Sequence, residues 1–192
     1  MASIPELQAC PDYPFPLLPD GVHLCEEAAF RTHFVERFPE SQTRQPICDG
    51  FFRLRAEVAG RGIIATQWVD GSFVEGKANP GDVDVVSFCD YDFLNNLDTQ
   101  GQQIVVECLD GREATKATYQ THTFLVPSCP VGHSYHVVFE EARIYWRNWF
   151  GKTREVPDPP GPDRPGRLKG FVQMALGDAS LAPVIATERG AS

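Results

Sequence analysis

Two short β-branched runs, joined by a segment that can continue neither, set the tightest limit on this fold. Residues 63–69 (IIATQWV) follow Gly60 and Gly62 and read as a strand. Residues 83–88 (VDVVSF) read as a second strand. Between them, Asp70-Gly71-Ser72-Phe73 reads as a turn, and residues 75–81 (EGKANPG) are rich enough in breakers to be loop. Alternate side chains of a strand share a face, so Asp82 and Asp84 project together while Val83, Val85 and Val86 supply packing. Two carboxylates on one face repel unless a cation joins them. Hard divalent cations such as Mg²⁺ take oxygen ligands of this kind, usually one or two carboxylates plus substrate phosphates. Gly71 allows close backbone approach, and the following amides with the Ser72 hydroxyl suit phosphate oxygens. Lys77 adds a cation from the loop. Phosphoryl-type transfer needs mainly such positioning and charge neutralisation. Each piece alone fits an ordinary solvated turn; their combination within one strand–turn–strand unit points to chemistry.

The rest of the chain builds around this unit. Residues 1–21 carry five prolines and read as an extended arm, whose Leu7, Phe15, Leu17 and Leu18 pack on the domain. Residues 24–38 read as a helix. Ile47, Phe51, Leu54 and Val58, spaced four, three and four, give an amphipathic helix ended by Gly60 and Gly62. Residues 91–97 read as a short helix. Residues 104–109 are ambiguous, their β-branched content favouring a strand, and residues 119–126 form a strand stopped by Pro127. Residues 135–150 form a helix with Val138, Ala142, Tyr145, Trp146 and Trp149 on one stripe, which reads as core rather than as a base-stacking surface. Residues 152–168 form a Pro-rich loop, residues 169–176 return as a strand, and residues 179–192 read as a loose tail. Helices and strands mix without strict alternation. The fold class is therefore α+β: one domain over residues 1–192, with a small mixed β-sheet and flanking helices.

Composition removes several function classes. At 192 residues, 42% hydrophobic and 22% charged, the chain can bury a core and is not disordered, collagenous or coiled-coil. No apolar run reaches the ~20 residues of a membrane helix, and residues 1–6 lack the signal-peptide pattern, which predicts a cytoplasmic protein with no membrane partner. A net charge of −9 argues against broad, non-specific DNA binding. The cysteines at 10, 25, 48, 89, 108 and 129 form no close pair, so zinc and dithiol motifs are absent and reduced thiols are expected. His133 and His136 have no third ligand nearby and read as structural; His23 reads as a hydrogen-bonding turn residue, and Asp70 as a turn former. Among Lys152, Arg154 and Lys169, only Lys169 is retained as a candidate phosphate contact, the other two being taken as solvated charge.

The glycine–serine turn, short spacer and D-x-D of residues 68–86 resemble the signature of the polymerase-β-like nucleotidyltransferase superfamily. A closer resemblance is to small uncharacterised bacterial and phage-associated nucleotidyltransferase-like proteins. It extends to Leu18-Pro19-Asp20-Gly21-Val22-His23, Tyr145-Trp146, Trp149-Phe150-Gly151 and Lys169-Gly170. The resemblance implies a nucleotidyltransferase fold in which Gly71 and Ser72 bind the β- and γ-phosphates of a nucleoside triphosphate and Asp82 and Asp84 ligate Mg²⁺. It implies transfer of a nucleoside monophosphate to a hydroxyl of RNA, a protein side chain or a small molecule, with a toxin–antitoxin or phage-defence setting and a cognate protein partner among the expectations. Lys77 and Lys169 are the expected triphosphate contacts. The superfamily's third carboxylate is not evident. His122 stands where it is expected and is a base but a poor Mg²⁺ ligand. Glu107 is the second candidate, provided residues 104–109 form a strand of the same sheet. The alternative is a catalytically degenerate module acting by nucleotide or protein binding.

Overall fold

The computed structural model describes residues 4–11, 13–154 and 166–177. Five strands form one mixed sheet: β1 (Gly21–Leu24), β2 (Ala65–Asp70), β3 (Val83–Asp90), β4 (Thr121–Ser128) and β5 (Gly170–Leu176), in the order β1-β5-β2-β3-β4. The outer pairs β1/β5 and β3/β4 are parallel, and β2 runs antiparallel to both β3 and β5. The helices are α1 (Glu27–Arg31), α2 (Arg44–Ala59), α3 (Tyr91–Asn96), α4 (Thr99–Leu109), α5 (Glu113–Tyr119) and α6 (His136–Phe150). The α+β class and mixed sheet with flanking helices therefore hold. No helix among the described residues is long and apolar enough to cross a membrane.

The period-two alternation of the strands divides the core into two faces. On one face, Val69, Val83, Val85, Val172 and Met174 pack against Phe30, Phe34, Ile47 and Phe51 from α1, the π-turn Thr32–Glu36 that follows it, and α2. Ala65, Cys89 and Leu176 continue that face under Leu54, Val58, Val105 and Leu109 of α2 and α4. On the other face, Trp68, Val86, Phe88, Val126 and Phe171 meet Phe139 and Phe150 of α6. Each fully buried side chain of this size contributes about 1.5–3 kcal/mol. Helix α6 covers this second face, with Tyr91 of α3 packed beside it.

Several local readings are corrected. Residues 104–109 belong to α4, not to a strand. Asp98 caps α4 by accepting from the Gly101 N–H at 2.8 Å, and Val105 and Leu109, with Ile104 and Cys108 beside them, make an i, i+4 stripe into the core. Helical spacing outweighs β-branched content there. Helix α5 was not expected; it ends at Gln120 in the left-handed region, at φ 53°. Pro127 does not stop β4, which continues to Ser128, because β4 is an edge strand and a missing donor is tolerated there. The stretch read as helix from 24 begins only at Glu27, since Gly21–Leu24 pairs with β5. On α6 the buried positions are Phe139 and Phe150, with Ala142, Trp146 and Trp149 packed beside them; Val138 is exposed and Tyr145 half-exposed.

The arm of residues 1–21 is not simply extended: from Ile4 onward it turns back on itself through a Gln8–Leu17 bridge and buries Leu17 and Leu18. The two ends of the 152–168 segment meet through a Lys152–Leu168 bridge; residues 155–165 and the 179–192 tail lie outside the described residues. All six cysteines are free thiols.

Candidate functional site

The charged residues gather on the α6 face, at the end of the sheet where β2 finishes and β3 begins. In the β2/β3 register Asp70 lies opposite Asp84, and in the β3/β4 register Asp84 lies opposite His122. Residues directly paired across strands project to the same face, so Asp70, Asp84 and His122 form one row across three strands. Asp82 sits one alternation before Asp84, on the same side. Ligand atoms of Asp82, Asp84 and His122 all fall within 4.8 Å of one another. The row continues the parity of Trp68, Val86 and Phe124, so the apolar core under α6 runs without a break into the site.

Directly after β2 the chain turns at Gly71, with φ 84° and ψ −175°. A Cβ there would lie 2.5 Å from Asp84 Oδ2, so both the backbone conformation and the proximity of the carboxylate require glycine. A 3₁₀ turn, Ser72–Val74, carries the chain to Glu75 and the loop holding Lys77. Arg44, fully buried at the start of α2, fixes this loop from behind. Its guanidinium donates to the carbonyls of Phe34 (2.7 Å), Phe73 (2.7 Å), Glu75 (2.5 Å) and Lys77 (2.7 Å), and it stacks 3.7 Å over the Phe38 ring.

These elements enclose a cavity of about 360 Å³, within the usual range of small-molecule sites. Asp82 and Asp84 lie on one wall with Gly71 and Ser72. Lys77, Lys152, Arg154 and Lys169 supply four cationic side chains around it. Asp70 and Glu75 line its floor, and Tyr13 and Phe15 close it from the N-terminal arm. The expected site residues Gly71, Ser72, Lys77, Asp82, Asp84 and Lys169 are thus brought together. His122 abuts Asp84, its Nδ1 at 3.2 Å from Oδ1, but is not itself on the cavity wall. Glu107 is not brought to the site. It is exposed on α4 and accepts from the Gln103 side chain at 2.9 Å. Its expected role required a strand in this sheet, and the helix removes it.

The charges at the site are paired in a definite pattern. Lys116 of α5 contacts Asp82 Oδ2 at 2.8 Å, and Arg154 lies 3.8 Å from Asp84 Oδ2. The neighbouring Asp82 carboxylate raises the Lys116 pKa. Behind them, Lys169 is buried, pairs with Asp70 and lies 3.3 Å from Glu75 Oε1. Burial opposes its charge, but two carboxylates at contact distance raise its pKa, so it stays an ammonium. Burial pushes the Asp70 carboxyl up to about 7, against the pull of Lys169. Asp70 is therefore neither a mere turn former nor a spare third carboxylate; it is the anchor of Lys169.

The donor set bears on which ions fit. Two aspartates with room for phosphate oxygens suit one hard divalent cation, whereas an imidazole is a poor ligand for Mg²⁺. Among the described residues, no further carboxylate joins the Asp82–Asp84–His122 group. The residues fit one divalent ion held by Asp82 and Asp84, with the His122 ring beside it.

Reading the sequence missed Glu75, Tyr13 and Phe15 and set aside Lys152 and Arg154. For the aromatic pair the sequence offers only the alternation of two rings with two prolines in Tyr13-Pro14-Phe15-Pro16, and that spacing does not say where the rings point. Glu75 left no signal, because its role depends on a lysine 94 positions later. His23, His133 and His136 are structural, as read: His23 Nε2 lies 2.8 Å from Pro19 O, and His136 Nδ1 lies 2.9 Å from Cys129 O.

A family model described as a family of unknown function (DUF6932) matches residues 12–175. No curated protein and no solved structure matches the chain.

Proposed function

This chain belongs to the DUF6932 family of unknown function, and from its site we propose a Mg²⁺-dependent nucleotidyltransferase that moves a nucleoside monophosphate from a nucleoside triphosphate to a hydroxyl acceptor. The observation that carries the reading is the single cavity in which Asp82, Asp84 and the Gly71–Ser72 turn face four cationic side chains. It supports the reading that the D-x-D and glycine–serine resemblance suggests, because groups of both charges line one cavity.

Asp82 and Asp84 would hold the ion, which when bound neutralises phosphate charge and aligns the α-phosphate. The Gly71 and Ser72 backbone and the Ser72 hydroxyl orient the β- and γ-phosphates. Lys77, Lys152 and Arg154 neutralise the pyrophosphate as it leaves. Asp84 holds the His122 ring through Nδ1, 3.2 Å away, and Nε2, 3.9 Å from the exposed Glu113 carboxylate, takes the acceptor proton as the acceptor oxygen bonds to the α-phosphorus and the bond to pyrophosphate breaks. The acceptor class is RNA, a protein side chain or a small molecule.

The test is incubation with each α-labelled nucleoside triphosphate and Mg²⁺, followed by a search for labelled protein, RNA and small-molecule product. Asp82→Asn and Asp84→Asn should each lower transfer at least about a hundredfold while folding is kept. Transfer retained in both variants refutes the assignment. Nucleotide bound with no product under any condition would instead favour a degenerate binding module, a reading to which the imidazole in the place of a third carboxylate lends weight.

A further inference from the structure

The cavity has one feature that phosphate and metal chemistry leave unused. Among the described residues its walls are carboxylates, cations, glycines and a serine, except at one corner, where Tyr13 and Phe15 present two aromatic rings. We propose that Tyr13 and Phe15 form the seat of the nucleobase, so that the N-terminal arm is a binding element of the site rather than packing around it. This rests on the nucleotidyl-transfer reading above and adds to it the place of the base.

The corner is built rather than incidental. The rings are two residues apart on a bend with exposed Pro14 between them, and both are half-buried against the cavity. Their centroids are 5.9 Å apart and their planes 80° apart, which leaves one face and one edge for a flat heterocycle. Tyr13 is fixed by its hydroxyl, which donates to Glu75 Oε2 at 2.9 Å. Phe15 is fixed by the chain on its far side. The Pro16 carbonyl accepts from the Gly76 N–H at 2.7 Å, the Gln8–Leu17 pair exchanges two bonds of 2.8 Å, and Leu17 and Leu18 are buried. A Cβ at Gly76 would fall 2.5 Å from Pro16, so the arm lies directly on the loop that carries Lys77. Arm and phosphate loop are one rigid surface. Its charged part suits a triphosphate, and its aromatic part suits any base, because every base has a stacking face.

The experiment compares two probes on the full chain by calorimetry in Mg²⁺: ATP and inorganic tripolyphosphate. Wild type should bind ATP more tightly than tripolyphosphate. Phe15→Ala should weaken ATP at least about tenfold while tripolyphosphate stays within about twofold, and Phe15→Trp should recover ATP binding. Unchanged tripolyphosphate binding also shows that the variant is folded. Equal loss of both probes would make the arm a structural support only, and unchanged ATP binding would put the base elsewhere; either result overturns the inference and leaves the triphosphate reading standing. If wild type binds neither probe, the nucleotidyl-transfer reading falls, and the base seat with it.

Discussion

Lys169 shows how much of this site is decided at single side chains. Its ammonium is buried between Asp70 and Glu75, and a buried charge of this kind is tolerated only while it is paired. Lys169→Met removes the cation and leaves two carboxylates facing each other without a counter-charge, which should cost about 3–5 kcal/mol at pH 8. The sign of its pH dependence follows from Asp70. Burial already raises that carboxyl to about 7, and loss of Lys169 raises it further. A group raised in the fold imposes no penalty below its unfolded value near 4; the penalty grows as pH climbs from there to the folded value and is level above it. Urea unfolding of Lys169→Met and wild type should therefore show a large gap at pH 8 that narrows at pH 5. A gap independent of pH would mean that the loss is one of packing rather than of charge. Lys169 was legible as a site residue; its role was not, because Asp70 reads in sequence as part of a turn and Glu75 as part of a loop.

Between elements, Arg44 is the link. It begins α2, and among the described residues its guanidinium hydrogen-bonds to carbonyls rather than to a carboxylate, those of Phe34, Phe73, Glu75 and Lys77. Burial pulls its pKa down to about 10, which still leaves it cationic at neutral pH. One side chain thus ties α2 and the turn after α1 to the loop that runs from Ser72 toward Asp82. Arg44→Met should leave these carbonyls without their donor and cost at least about 3 kcal/mol. Amide exchange at Phe73–Lys77 should accelerate more than exchange in β2 or β3. Uniform acceleration would show that Arg44 supports the whole fold and not this loop. The same scale explains what could be read and what could not. Strands β2 and β3 and helix α2 carry their periodicity in their own residues, and the strand–turn–strand unit came through intact. Helix α4 did not, because Ile104, Val105 and Val106 resemble a strand until Asp98 is recognised as the cap. Strand β1 is four residues long and exists through its pairing with β5, to which nothing within Gly21–Leu24 points. The register that sets Asp84 beside His122 is likewise a property of two strands together, although the position of His122 was foreseen.

Across the whole molecule, the site is a point of conflict between charges that the fold holds apart only partly. The chain carries a net −9, and Asp82 and Asp84 add two like charges on one wall. Lys116 from α5 and Arg154 beyond α6 reach in to offset them, Lys116 at 2.8 Å. The divalent ion proposed for Asp82 and Asp84 would do the same work at closer range and would have to displace Lys116 from Asp82. Such an ion binds the folded state alone, so it stabilises the protein by mass action: at a hundredfold excess over Kd the gain is about 2.7 kcal/mol, or about 5–10 °C in Tm for a domain of this size. Thermal unfolding in Mg²⁺ or Mn²⁺ against chelator, at constant ionic strength so that general screening of the acidic surface cancels, should show this rise. Asp84→Asn should abolish it. Lys116→Ala should enlarge it at a fixed subsaturating ion concentration, because the competing ammonium is gone, even though the variant without metal melts lower than wild type. A rise that persists in Asp84→Asn would place the ion elsewhere on the acidic surface, and no rise in wild type would mean that Lys116, His122 and Arg154 are the permanent partners of these carboxylates.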